Sequence, residues 1–357
     1  VSGLRRAPHP AEVLAAALAR VTAPGERLAL AVSGGSDSVA LAGLVAARAP
    51  DRALVLHVHH GLRADADRDA AFVRELCRGL ALPLRELGAP PLPSDPGRSE
   101  TAARRRRLAA LARGAREAGC AWVLTAHHLE DALETLLLHL SRGHRGVRAL
   151  AGIPTARPLV EGVGLLRPFL VGARPPGRRD LEAARNGLGL DCVLDETNAD
   201  RSVPRNALRA ELLRGVAPLS TTHLAPVRRA AIGSLSRLVG QAARILGASL
   251  LPAGRGARLT REGLVAMGAD PGLTAETLRL LGGCLAAPRQ LAIRASVLAR
   301  LVEAGDRQQG ELPLPASPAP LLGRLRPDGL HFPSERLSDG DPDARVLAAV
   351  ARTPVHL

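Results

Sequence analysis

Six consecutive residues, Ser33-Gly34-Gly35-Ser36-Asp37-Ser38, carry the strongest chemical signal in a chain of 357 residues. They stand between an apolar run at 28–32 and an apolar-rich stretch at 39–47, an order that predicts a strand, a tight loop and a helix. Two glycines let the backbone turn sharply and bring N–H groups close to an anion. The start of the following helix adds partial positive charge, and the serine hydroxyls add donors. An acid belongs in such a loop when it holds Mg2+, whose charge inverts the local electrostatics. The six residues therefore predict a phosphate cradle with Asp37 as metal ligand, against the plainer reading of a capped glycine turn.

A second constellation lies at His127, Asp131 and Glu134, four and three residues apart. On a helix predicted from about 129 to 140 this spacing places the three on one face. An imidazole and two carboxylates suit an ammonium ligand or a proton transfer. A capped helix start with solvated acids has the same spacing, so the helix alone leaves both readings open. Residues 104–107 are four consecutive arginines and begin a run of six through Arg116 with no acid among them. A helix spreads four successive side chains around its circumference, leaving Arg104 and Arg107 on one side. A solvated face is the usual fate of such a run. Zinc at His57, His59 and His127 lacks an acidic or thiolate ligand at fixed spacing.

Composition removes several alternatives. The chain has no lysine, so Walker-type phosphate loops and Schiff-base or lysyl-adenylate chemistry are excluded. Arginine supplies every cation of the 48 that leave a net charge of +14 over 34 acids. Arg142, Arg145 and Arg148, then Arg201, Arg205, Arg209 and Arg214, extend the basic character downstream. Only Phe72, Trp122, Phe169 and Phe332 are aromatic, so this basic surface suits phosphate-backbone contacts with a folded RNA better than base stacking. The four cysteines are scattered, with no CxxC pair, which disfavours a disulfide scaffold or thiolate metal site. No signal-peptide pattern and no apolar run of about 18–20 residues is seen, predicting a cytoplasmic protein without a membrane segment.

The elements that must position these residues alternate. Strands are expected at 28–32, 53–58, 83–87 and 122–125, and helices at 65–80, 99–118, 129–140, 180–187 and 205–213. This alternation predicts an α/β, doubly wound parallel sheet, with ligands beyond the carboxyl ends of its strands. From about 220 to 304 the pattern reads as helices without strands, and 313–320 as a proline-rich linker before a tail with short strands. The expected organisation is a catalytic domain at 1–217, a smaller mainly helical domain at 218–312, and linker plus tail at 313–357.

The loop at 33–38 resembles the pyrophosphate (PP) loop of the N-type ATP pyrophosphatases, which cleave ATP between its α and β phosphates. Further segments are similar to one branch of these enzymes, the bacterial tRNA(Ile)-lysidine synthases, in short form. His57-x-His59-His60-Gly61-Leu62-Arg63 resembles HxNHGLR, with His59 in place of Asn or Asp. Glu100-x-x-Ala103-Arg104-x-x-Arg107 resembles ExxARxxRY, with Leu108 in place of Tyr. Residues 126–135 fit AHHxxDxxET, and Asp195-Glu196-Thr197-Asn198 and Arg205-Asn206-x-x-Arg209 complete the series, over about 25–215. The resemblance implies the adenine nucleotide alpha hydrolase-like fold, with ATP and Mg2+ at Ser33, Gly34, Gly35, Ser36, Asp37 and Ser38. It gives Arg104 the α phosphate, and His127, Asp131 and Glu134 the binding and activation of L-lysine, supported by Arg205. It implies a tRNA(Ile) with a CAU anticodon as partner and leaves a homodimer open. The rivals are another tRNA-modifying member of the superfamily, such as a thiolase, and a catalytically inactive RNA-binding module.

Overall fold

The protein is described here from a computed structural model. The described residues are 8–59, 65–88, 100–144, 146–172, 174–193, 224–253 and 256–268, with shorter stretches at 270, 272–273, 276–277, 279–280, 310–314, 321–326 and 329–332. The side chain of Glu100 and the segments at 60–63, 195–198 and 205–209, with Arg205, lie outside them. These residues divide between two compact units, one within 1–145 and 149–229, the other within 146–148 and 230–353.

The first unit is built on β1 (Arg27–Ala31), a short apolar strand buried on both faces. It pairs in parallel with β2 (Ala53–His59) on one side and β4 (Cys120–Leu124) on the other. β3 (Leu84–Gly88) extends the sheet beyond β2, while β6 (Val163–Leu166) and β5 (Ala156–Val160) extend it beyond β4, giving the order β3-β2-β1-β4-β6-β5. All neighbours run parallel except β5, which returns antiparallel to β6. The doubly wound parallel sheet anticipated from the sequence is therefore present.

Side chains of β1 alternate between two cores. Leu28 and Leu30 join Leu14 and Leu18 of α1 (Pro10–Val21), Leu41 of α2 (Ser36–Ala46), Val73 of α3 (Asp65–Gly79) and Leu181 of α7 (Arg178–Gly187). Ala29 faces the other way, with Leu56, Val123, Leu165 and Leu111 of α4 (Glu100–Glu117). A strand buried on both faces must read as a continuous apolar run, as this one does. The remaining helices of the unit are α5 (Leu129–Ser141) and α6 (Val147–Ala151), whose first residues count with the second unit.

Strand order reverses at β1, whose neighbours β2 and β4 lead in opposite directions across the sheet. Ligands of open parallel sheets bind at such a reversal, beyond the carboxyl ends of the strands. The loop at 33–38 leaves β1 there, and residues 125–128 leave β4 beside it. The β5–β6 pair is not among the elements expected from the sequence. Pro158, Gly162 and Gly164 dilute its apolar pattern, although Gly162 turns the hairpin at φ +74°.

α8 (Ala225–Ser249), whose first residues count with the first unit, leads into β7 (Leu250–Ala253), β8 (Gly256–Thr260) and α9 (Arg261–Gly268) of the second. β9 (Gly310–Leu314), β10 (Leu321–Arg326) and β11 (Gly329–Phe332) complete an antiparallel sheet of order β7-β8-β11-β10-β9. The expectation of helices without strands from 220 to 304 is corrected by β7 and β8. A hairpin of four- and five-residue strands is too short to show a period, and its pairing with β11 draws on residues 70 positions downstream. Short strands expected in the tail are present. Pro313, expected to begin the linker, sits instead in β9, an edge strand where a missing N–H is tolerated.

Gly164 of β6 lies under the indole of Trp122, and a Cβ there would come within 2.2 Å of Trp122 Cζ3. Gly164→Val is expected to lower stability by about 1–3 kcal/mol through overpacking, measured by denaturant unfolding. An unchanged midpoint would mean that the ring is free to move.

Candidate active site

The loop after β1 is knitted by its own side chains. Ser38 Oγ donates to the Gly35 carbonyl at 2.8 Å and accepts the Ser33 N–H at 3.2 Å. Gly34 takes φ +95°, and its carbonyl accepts the Val193 N–H at 3.0 Å. A Cβ at Gly34 would lie 3.2 Å from Val193 Cγ2, so conformation and space both call for glycine. Gly35 caps α2 without a side-chain hydrogen bond, which leaves the opening N–H groups of the helix for a ligand. Ser36 Oγ and Asp37 Oδ1 are buried with no hydrogen-bond partner. Two orphaned hard oxygen atoms fit a magnesium ion, which takes one or two protein oxygens and completes its shell from phosphates and water.

Beyond β4 the chain turns at Thr125, whose Oγ1 lies 2.9 Å from His127 Nδ1. His128, 1% exposed, is the N-cap of α5, and its backbone N–H donates to Asp131 Oδ2 at 3.0 Å. His128 Nδ1 lies 2.8 Å from Glu130 Oε2, while Nε2 lies 3.5 Å from both Asp37 Oδ2 and Asp131 Oδ2. Burial opposes the charged imidazole, but the carboxylate of Asp37, the hydrogen bond to Glu130 and the charge of Asp131 outweigh it, raising its pKa to about 10. The ring is therefore an imidazolium at neutral pH. Glu130 also accepts the Arg178 N–H at 3.0 Å, tying this cluster to the start of α7. Burial favours the neutral acid at Glu130, yet His128 and the backbone donors bring its pKa below the ordinary value.

The reading of His127, Asp131 and Glu134 on one helical face needs correction. α5 begins at Leu129, so His127 precedes its N-cap and only Asp131 and Glu134 share the face. The strand-to-helix turn nevertheless brings His127 within Coulombic reach of Asp131. Burial, then the positive charges of Arg167, Arg104 and Arg107, push the His127 pKa well below its ordinary value, with Asp131 opposing. Burial and the neighbouring guanidinium groups thus favour the neutral imidazole. Asp131 and Glu134 are buried, and Arg104 is half-buried near the start of α4.

His128, Arg157 and Arg167 are functional candidates that spacing alone did not single out. His128 was hidden by His127 beside it, since nothing in a sequence says which of two adjacent histidines caps the helix. Arg167 follows the apolar run of β6, and a cation at the carboxyl end of a buried strand is the signal that would have found it.

A sequence model described as a PP-loop domain matches residues 10–216, more than half of the chain. The chain is similar to the tRNA(Ile)-lysidine synthase of Ralstonia nicotianae, 38% identical over 312 residues that cover 85% of this chain and 60% of that one. Its similarity to the enzyme of that name from an Azoarcus species is 38% over 295 residues, covering 76% and 62% of the two chains. For Bordetella bronchiseptica the identity is 41% over 203 residues, covering 56% and 58%. The chain thus spans about three fifths of the length of these relatives.

Because the folded pKa of His127 lies below its ordinary 6.5, the unfolded chain binds the extra proton more readily. The stability this neutral ring contributes is complete above pH 6.5 and is lost as pH falls toward the folded value. The thermal midpoint is expected to drop by several degrees between pH 7 and 5, and His127→Gln to shrink that drop. Equal pH profiles for parent and variant would contradict this assignment. Replacing His128 with alanine strips the cation from Asp37, Glu130 and Asp131, and is expected to cost about 3–5 kcal/mol in denaturant unfolding.

Proposed function

The chain belongs to the PP-loop domain family, and on that premise we propose that it is a tRNA(Ile)-lysidine synthase. Its reaction joins L-lysine to carbon 2 of the wobble cytidine in a tRNA(Ile) with a CAU anticodon, at the expense of ATP. The observation that carries this reading is the 38% identity over 312 residues to the Ralstonia nicotianae enzyme, a stretch longer than the PP-loop domain itself. Segregation of acids and arginines in the site supports it.

A pyrimidine carbonyl oxygen is a poor leaving group, and attaching AMP to it makes a good one. The loop at 33–38 and the first N–H groups of α2 would grip the pyrophosphate portion of ATP, leaving the α phosphate open to the cytidine oxygen. Magnesium held at Asp37 and Ser36 would supply positive charge against the phosphate oxygens. Arg104 stabilises charge on the α phosphate through forked hydrogen bonds. Asp131 and Glu134 attract the ammonium groups of lysine. Neutral His127 accepts the proton that the attacking amine must lose as AMP departs. Arg205 takes a supporting role at the substrate.

The thiolase alternative has less support. Cys77 and Cys120 are buried in different cores, and burial pushes the Cys77 thiol up to about 11, far from a reactive thiolate. No helix among the described residues is long and apolar enough to cross a membrane. We place the reaction in the cytoplasm, where its tRNA is.

Incubation with ATP, labelled lysine and tRNA(Ile) tests the proposal, with label in the RNA as the expected result and unlabelled RNA as its refutation. Asp37→Ala is expected to abolish AMP release while tRNA binding stays close to parent. Asp131→Asn is expected to raise the KM for lysine about tenfold or more and to move the KM for ATP much less, because it removes a charge partner of an ammonium. Equal shifts in both would assign Asp131 to the nucleotide or the fold.

A further inference from the structure

Three arginines from three elements of the first unit converge beside the acids of the site. Arg167 directly follows β6 and is 2% exposed. Its Nη1 donates to the Pro154 carbonyl at 2.7 Å, while its Nε is buried with no hydrogen-bond partner. Arg157 lies on the paired strand β5, opposite Leu165 and half-buried, and its Nη1 donates to the Pro158 carbonyl at 3.1 Å. Arg104 comes from α4, which packs against both strands.

The charges oppose one another. Burial, then Arg157 and Arg104, bring the Arg167 pKa down to about 9, with Asp131 the favourable neighbour. Arg157 is lowered by burial and by Arg104. Burying like charges together is costly unless an anion joins them, and the planar fork of arginine matches phosphate oxygens in pairs.

We infer that Arg167 and Arg157, together with Arg104, form a phosphate-binding subsite at the carboxyl end of β6, linked to the metal side of the site through Asp131 and His128. The inference rests on the function proposed above for the source of that phosphate. Two sources share the chemistry: the α phosphate of the nucleotide, carried onto the RNA as AMP, and a backbone phosphodiester flanking the wobble cytidine. Arg167 and Arg157 would position that phosphate, so that the reacting cytidine oxygen and the lysine amine meet between the arginines and the acids.

The experiment uses the full chain and the variants Arg157→Gln, Arg167→Gln and Arg167→Lys. Binding of AMP and of unmodified tRNA(Ile) is measured by calorimetry at several salt concentrations, alongside thermal unfolding without ligand. Without ligand, Arg157→Gln is expected to be at least as stable as the parent, since it relieves repulsion and leaves the Arg167–Pro154 bond in place. If the nucleotide supplies the phosphate, both glutamine variants weaken AMP binding about tenfold or more, and Arg167→Lys recovers part of the loss. If the RNA supplies it, AMP binding is unchanged, tRNA affinity falls, and the log–log salt slope flattens by about one unit per lost contact. Either result supports the subsite. Parent-like affinity of Arg157→Gln and Arg167→Lys for both ligands would overturn it, as would a loss of stability in Arg167→Gln with no loss of binding in any variant. Failure of the parent chain to incorporate lysine, with these binding losses present in the variants, would refute the proposed function and leave the subsite standing.

Discussion

The His128 imidazole, sealed from solvent, keeps its proton because carboxylates from two separate segments face it. Asp37 comes from the loop after β1, and Glu130 and Asp131 from the first turn of α5 after β4. Two of these acids are also held elsewhere, Asp131 by the His128 backbone and Glu130 by the Arg178 N–H of α7. An ion pair of this kind adds little net stability once desolvation is counted, but breaking it leaves buried charge without a partner. Its value is geometric: it fixes the phosphate loop relative to the acids of α5, across the reversal in strand order. Without that cation, three carboxylates facing one another would repel and the two halves of the site would part.

The same arrangement sorts charge. Asp37, Glu130 and Asp131 surround the imidazole of His128, while Arg157 and Arg104 act on Arg167. His127 feels more positive than negative charge and little water, which favours its neutral form. Adjacent histidines therefore favour opposite protonation states, one the cation and the other the neutral ring. Neighbours decide this, since the residue type is the same.

Much of this was legible in the sequence, and the gaps have physical causes. The phosphate loop could be read because glycines, strand and helix all agree locally, and β1 to β4 could be read because short apolar runs there alternate with amphipathic helices. β5 and β6 escaped because prolines and glycines that make an edge hairpin also erase its alternation, so Arg157 and Arg167 escaped with them. Asp131 and Glu134 could be placed together by helical spacing alone. His128 could not, because its significance lies in Asp37, 91 residues away in the chain and 3.5 Å away in space. The β7–β8 hairpin was missed because its partner strands come from far downstream.

The bond from Val193 N–H to the Gly34 carbonyl has a consequence for how the molecule comes into being. Synthesis proceeds from the N-terminus, and the phosphate loop leaves the ribosome early, long before residue 193. β4, His128 and the β5–β6 hairpin follow at intermediate lengths, and each pairs with chain already made. The loop thus waits, incompletely braced, while some 160 further residues emerge, and non-local closure of this kind is the slow part of folding a parallel sheet. A nascent chain halted before residue 193 lacks the clasp of the nucleotide site. Competence to grip a triphosphate therefore waits on residue 193, far downstream of the loop itself.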